Sequence, residues 1–96
     1  MLIRNALVDG FCTDLRLMHG RVQEMGVGLC KGLYESEMDL AGDELRPVTA
    51  EMPLPRRLRR ASLQPENARI TPGTPAPLAR WRAGEWIGYI DEHAAD

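Results

Sequence analysis

Aromatic side chains are scarce in this chain: one Phe, two Trp and two Tyr make up 5% of its 96 residues. Any core must therefore be built from aliphatic side chains. Cysteine is scarcer still. Cys12 and Cys30 have no CxxC spacing and no neighbouring base, so they set no disulfide framework and are expected as reduced, small buried hydrophobes. Histidine is limited to His19 and His93, whereas a catalytic zinc site takes three protein ligands from His, Cys, Asp or Glu. No catalytic residue, metal site or cofactor is expected. The chain also lacks a charge excess: its formal net charge of -2 supplies no concentrated positive field, so no nucleic-acid partner is expected. No apolar run approaches the roughly 20 residues that cross a bilayer, and no secretory layout opens the chain. The expected setting is cytoplasmic, without a membrane partner.

Hydrophobic residues make up 44% of the chain, enough for one small folded domain over residues 1–96 with a modest core. Met1 to Val8 is apolar apart from Arg4 and Asn5 and ends at Asp9-Gly10, a turn signal, so it reads as a central strand. Cys12 to Met25 reads as a hairpin. A two-residue type I′ turn at His19-Gly20 sets Val22 opposite Leu17 beside Leu15, and the turn accounts for His19 without catalysis. Gly26, Gly28 and Gly32 read as turn residues, because no Lys-Ser/Thr pair or following helix accompanies them. Asp9, Asp14 and Asp39 are expected at turns or strand ends, accepting local backbone hydrogen bonds.

Glu35 to Leu40 alternates like a short strand, with Met38 and Leu40 on one side, before Ala41-Gly-Asp43 turns the chain. Thr71 to Pro77 carries prolines that lack ladder donors and so belongs to a turn or a sheet edge. Leu78 to Arg82 and Glu85 to Ile90 form a final hairpin around Ala83-Gly84. A two-residue loop there places Trp81 across from Trp86; since alanine is poor at positive φ, a longer loop with a bulge is the alternative. The chain thus divides into N-terminal strands (1–46), a connector (47–67), C-terminal strands (68–91) and a tail (92–96).

The connector has its own character. Pro47, Pro53 and Pro55 interrupt regular structure, and Leu58 to Leu63 has the length of one short helix ending ahead of Pro65. Arg56, Arg57, Arg59 and Arg60 are crowded there, followed by Ser62. Guanidinium groups pair bidentately with phosphate oxygens, which makes the four arginines a candidate anion site. A solvated connector offsetting the acidic Glu35, Glu37, Asp39, Asp43 and Glu44 is the competing account, and the missing interleaved aromatics favour it over nucleic-acid stacking.

Both ends resemble parts of one longer kind of protein. Leu2-Ile-Arg-Asn-Ala-Leu-Val8, the hairpin Asp14-Leu-Arg-Leu-Met-His-Gly-Arg-Val22 and Met38-Asp-Leu-Ala-Gly42 are similar to the start of metal-dependent amidohydrolases of the dihydroorotase, hydantoinase and imidazolonepropionase type. Ile70-Thr-Pro-Gly-Thr-Pro-Ala-Pro-Leu78 resembles the point where those chains leave their barrel, with Pro77 in place of the usual aspartate. The resemblance implies that the two ends fold together as the composite β-sandwich that flanks the catalytic barrel. Where the family carries Leu-x-Pro-Gly-Phe-Val-Asp-x-His-x-His, this chain reads Leu45-Arg-Pro-Val-Thr-Ala-Glu-Met-Pro53. The barrel and both metal-binding histidines have no counterpart.

These readings converge on a mainly β protein, a small sandwich or partly open barrel of about six or seven strands with one short helix or an irregular arginine-rich connector. The expected function is non-catalytic, by self-association or partner docking, with a homodimer or another protein chain covering the exposed sheet. The alternatives are an accessory part of a C–N hydrolase whose barrel is a separate chain, and an anion or phosphate binder using Arg56 to Arg60.

Overall fold

The computed structural model describes residues 1–50, 52, 63–65 and 68–92. Its strands are β1 (Leu2–Val8), β2 (Phe11–Met18), β3 (Arg21–Gly26), β4 (Glu37–Asp39), β5 (Glu44–Arg46), β6 (Leu78–Arg82) and β7 (Glu85–Ile90). They form one open mixed sheet in the order β3-β2-β1-β5-β6-β7, with β4 also beside β1. The mainly β expectation holds at seven strands. Among the described residues there is no helix. The helix expected over Leu58 to Leu63 falls outside the described residues apart from Leu63, which is irregular.

Three X-Gly pairs make the hairpins. Asp9-Gly10, His19-Gly20 and Ala83-Gly84 have φ of 50° and 82°, 57° and 75°, and 51° and 80°. Positive φ at both positions is the type I′ geometry, whose twist suits two-residue connections. Register follows from the turns. Leu17 pairs with Val22, and Trp81 pairs with Trp86, so Ala83 accepts the left-handed conformation in place of the longer loop. The bulge in the last hairpin lies one pair further in, between Arg80 and Trp81. It leaves Ile87 unmatched, between the partners Trp86 and Gly88.

The polar pair that interrupts the first apolar run is also a bulge. Pairing of β1 with β2 shifts register between Ile3 and Ala6, and Asn5 sits at φ 56°, which Asn tolerates better than most residues. The kink divides β1 into two docking halves. Its first half runs parallel to β4, through Leu2 to Glu37 and Ile3 to Met38, and its second half meets β5 at Leu7 to Glu44. The Leu40–Asp43 turn follows the kink closely: Leu40 and Gly42 donate to the carbonyls of Arg4 and Asn5, at 2.9 and 2.8 Å.

Alternation then builds the core. Ile3, Ala6, Val8, Leu15, Leu17, Val22, Leu40, Leu45, Ile70, Leu78 and Ile90 form one buried cluster, aliphatic throughout. A smaller cluster of Val48, Ala79 and Tyr89, with Met52, Leu63 and Trp81 against it, covers the other face of β6 and β7. The proline segment lies along an edge, as its missing donors require. Val22 donates to Thr74 at 2.8 Å, Gly73 to Val22 at 2.7 Å and Ala76 to Gly20 at 2.9 Å, so this segment caps β3 before leading into β6.

The turn geometry makes Ala83 the strained position of the last hairpin. Replacing Ala83 with Asn, which reaches positive φ more readily, should raise unfolding free energy by about 1 kcal/mol. Urea denaturation of Ala83→Asn beside the parent chain measures this, and an unchanged midpoint would contradict the assignment of strain.

Candidate functional site

The outer face of β1 and β2 carries charge where the inner face carries leucine. Asp14 and Arg16 alternate with Leu15 and Leu17, and Arg4 stands on the neighbouring strand at the kink. Asp14 is buried and accepts four hydrogen bonds: from the N–H groups of Asn5 (3.1 Å), Gly28 (3.0 Å) and Leu29 (3.1 Å), and from Arg4 Nη1 (3.0 Å). Arg4 also donates to the Leu29 carbonyl at 2.7 Å. Asp14 lies inside β2, not at a strand end, and its backbone donors come from other segments. The expectation of a local turn role is corrected accordingly. Asp39 keeps that role, accepting from Ala41 N–H at 2.8 Å.

Arg16 completes the anchorage. Its Nε and Nη2 donate to the two Glu35 carboxylate oxygens, at 2.9 and 3.2 Å, and it also reaches Glu24 and the Cys30 carbonyl. Glu35 in turn accepts from Gly32 N–H at 2.8 Å. The segment 27–36 between β3 and β4 is therefore pinned to the sheet at Gly28, Leu29, Cys30 and Glu35, with Gly32 tied to Glu35 inside it. The apolar side chains between these anchors point away. Val27 and Leu33 are each 87% exposed and Tyr34 is 97% exposed.

A second clamp joins the two ends of the chain. Asp43, buried just before β5, accepts from Arg80 Nε at 2.8 Å and from Arg82 Nε and Nη2 at 3.0 and 2.9 Å. Arg82 holds the Asp43 carboxyl down and burial opposes it, with Arg80 adding to the lowering; the result is a pKa of about 2 against an ordinary 3.8. At Glu35 the Arg16 hydrogen bonds lower the pKa, helped by Gly32 N–H, against burial. At Asp14 burial pushes up, yet the N–H groups of Asn5 and Leu29 together with Arg4 prevail and the pKa is lowered. Proton donors at neutral pH need raised carboxyl pKa values, and these three move the other way. They serve as anchors.

Beside the clamp lies a cleft of about 510 Å³, walled by the end of β1, by β5, by Trp81 and by Ala68 to Ile70, with Pro47, Thr49 and Met52 along one side. Arg46 places its guanidinium 4.4 Å from the centroid of the Trp81 ring and pairs through Nε with Glu44. The Trp81 indole N–H is buried and has no acceptor among the described residues; a donor left in that state costs about 1–3 kcal/mol.

The four arginines of the candidate anion site, Arg56, Arg57, Arg59 and Arg60, lie outside the described residues, as do Ser62 and His93. His19 occupies its turn, where its N–H donates to Glu92 at 3.2 Å. Cys12 and Cys30 are free thiols, but both are exposed, which corrects the expectation of buried hydrophobes. Cys12 is the second residue of β2, beyond the core, and Cys30 belongs to the pinned loop, where its carbonyl, not its thiol, is used. Among the described residues no three His, Cys, Asp or Glu side chains group as a metal site. The two clamps were not anticipated. Their signal was present in Asp14-Leu-Arg16 and Arg80-Trp-Arg82, charged residues two apart and hence on one strand face.

Fold and sites together define a small, mainly β domain on one open sheet. Compared with family models, curated proteins and solved structures, the chain matches none.

Two measurements check the clamps. Asp14→Ala strands three backbone donors and should cost about 3 kcal/mol, with amide exchange accelerating first in residues 27–36. The lowered carboxyl pKa values mean that stability is fully present above the ordinary values and is lost as pH falls through the folded ones. For Asp43 the window runs from 3.8 to about 2. Urea midpoints should therefore be flat between neutrality and about pH 5 and fall across that window, and Asp43→Asn should remove part of the fall.

Proposed function

We propose that this chain is a non-catalytic docking domain that associates with a second copy of itself, and that residues 27–34 form the contact. One observation carries the reading: a loop anchored by two arginine–carboxylate networks turns Val27, Leu33 and Tyr34 almost wholly to solvent. Apolar groups grouped in a pre-organised element mark interaction surfaces, because the ordering cost is met in folding and not on binding. Lys31 is the only charged residue among 27–34, so the patch opposes a copy of itself without placing many like charges together, as a two-fold contact requires.

The outer edge of β7 favours this choice. On β7, Trp86 and Ile87 are also exposed, at 38% and 42%. Ile87 is the bulged residue, and bulges turn an edge away from pairing with another strand. The loop is the better-built contact.

The composite domain of the amidohydrolases remains the ancestry we propose. Support comes from the chain ends sharing one sheet, β5 pairing with β6, in the arrangement that resemblance implies. A composite domain without its barrel needs another cover for its surface.

Size-exclusion chromatography with light scattering tests the association. The parent chain should run as a dimer at micromolar concentration, and the Leu33→Ser/Tyr34→Ser double variant should dissociate at least about tenfold more readily while keeping its circular dichroism spectrum. A parent chain that stays monomeric, or a dimer indifferent to both substitutions, would refute the proposal.

A further inference from the structure

We infer that the cleft between β5, Trp81 and Ala68–Ile70 binds a small organic carboxylate with an apolar or aromatic body. Its size falls within the range of small-molecule sites, and its lining has their mixed character. Leu45, Ile70 and Met52 offer an apolar bed. Trp81 supplies the flat aromatic wall.

The charged groups give the site its sign. Asp9, Glu44, Arg46 and Arg69 all line the cleft. Glu44 is already committed to Arg46 Nε. Arg69 is exposed and has no ion-pair partner among the described residues, which leaves its guanidinium free to take a carboxylate bidentately. Arg46 is the half-exposed part of the wall: its side chain is 48% exposed and is held by the ion pair to Glu44 and by its contact with the Trp81 ring. When it turns toward an incoming carboxylate, it uncovers the Trp81 ring beneath it. The buried indole N–H of that ring has no acceptor among the described residues, and a ligand carboxylate reaching the ring edge would supply one. A neutral apolar ligand would leave the Arg69 guanidinium and this donor unused, and a cationic ligand would have only the Asp9 carboxylate to pair with, since Glu44 is taken by Arg46.

Nuclear magnetic resonance decides it, because the chain has only two indole N–H signals, from Trp81 and Trp86. Benzoate and its neutral counterpart benzamide are titrated into the full chain, the signals being assigned with Trp86→Phe. Benzoate should move the Trp81 indole signal with millimolar affinity or better, benzamide should bind at least about tenfold more weakly, and Arg69→Gln should weaken benzoate by a similar factor. An unmoved Trp81 signal, equal binding of benzamide, or benzoate binding indifferent to Arg69→Gln would each overturn the inference. Arg69 is exposed and remote from residues 27–34 in the chain, so this outcome is read separately from that of the dimer experiment.

Discussion

Two parts of the chain more than thirty residues apart in sequence are held in one sheet by a short antiparallel ladder, Glu44 to Trp81, Leu45 to Arg80 and Arg46 to Ala79. β5 contributes three residues to this junction, too few to hold two halves together by backbone bonding alone. Asp43 supplies the rest. Its carboxylate stands at the entrance to β5 and is gripped by the two arginines that face one way from β6. The main core straddles the same junction: Leu45 lies with Ile3, Val8 and Leu15 on one side and Leu78 and Ile90 on the other. Without the ladder and its clamp the aliphatic cluster would be divided between the β1–β4 strands and the β6–β7 hairpin, and a lone two-stranded hairpin is too small to be stable by itself.

The same device recurs on the opposite side of the sheet with a different result. Asp14 and Glu35 are also carboxylates taken out of water and repaid by guanidinium and backbone N–H groups. What they hold is a loop. Net stability from such charge-assisted bonds is modest, because each charge loses hydration before it gains a partner. Their larger effect is on shape: a segment containing two glycines, Gly28 and Gly32, is kept in one conformation while its Val27, Leu33 and Tyr34 side chains face solvent. A loop held in this way can meet a partner with little further loss of entropy, which connects the sheet's electrostatics to the docking role.

The cleft is a by-product of the junction. Arg46 and Trp81 come from β5 and β6, and the third wall comes from Ala68 to Ile70, the stretch leading to the capping segment on β3. The proposed small-molecule site and the proposed docking loop thus draw on different residues, one at the seam between the halves and the other over the first hairpin. Neither requires the proton chemistry that the lowered carboxyl pKa values disfavour.

Much of the fold was legible in the residues. Asp9-Gly10, His19-Gly20 and Ala83-Gly84 define turns because two-residue turns need positive φ, and those turns set the Leu17–Val22 and Trp81–Trp86 registers; strand alternation set Leu15, Leu17 and Val22 on one face, which is buried. The mainly β class and the edge position of the proline segment follow from equally local rules. Long-range partnership does not. Nothing in the spacing of Asp43, Arg80 and Arg82 says that they meet, and Asp14 looks like a turn residue until the donors of Asn5, Gly28 and Leu29 converge on it. The exposure of Cys12 and Cys30, the orphaned Trp81 N–H and the cleft are of the same kind. Turn chemistry and alternation act between neighbours along the chain, whereas charge pairing, burial and cavities depend on which distant segments become adjacent, and only the folded sheet decides that.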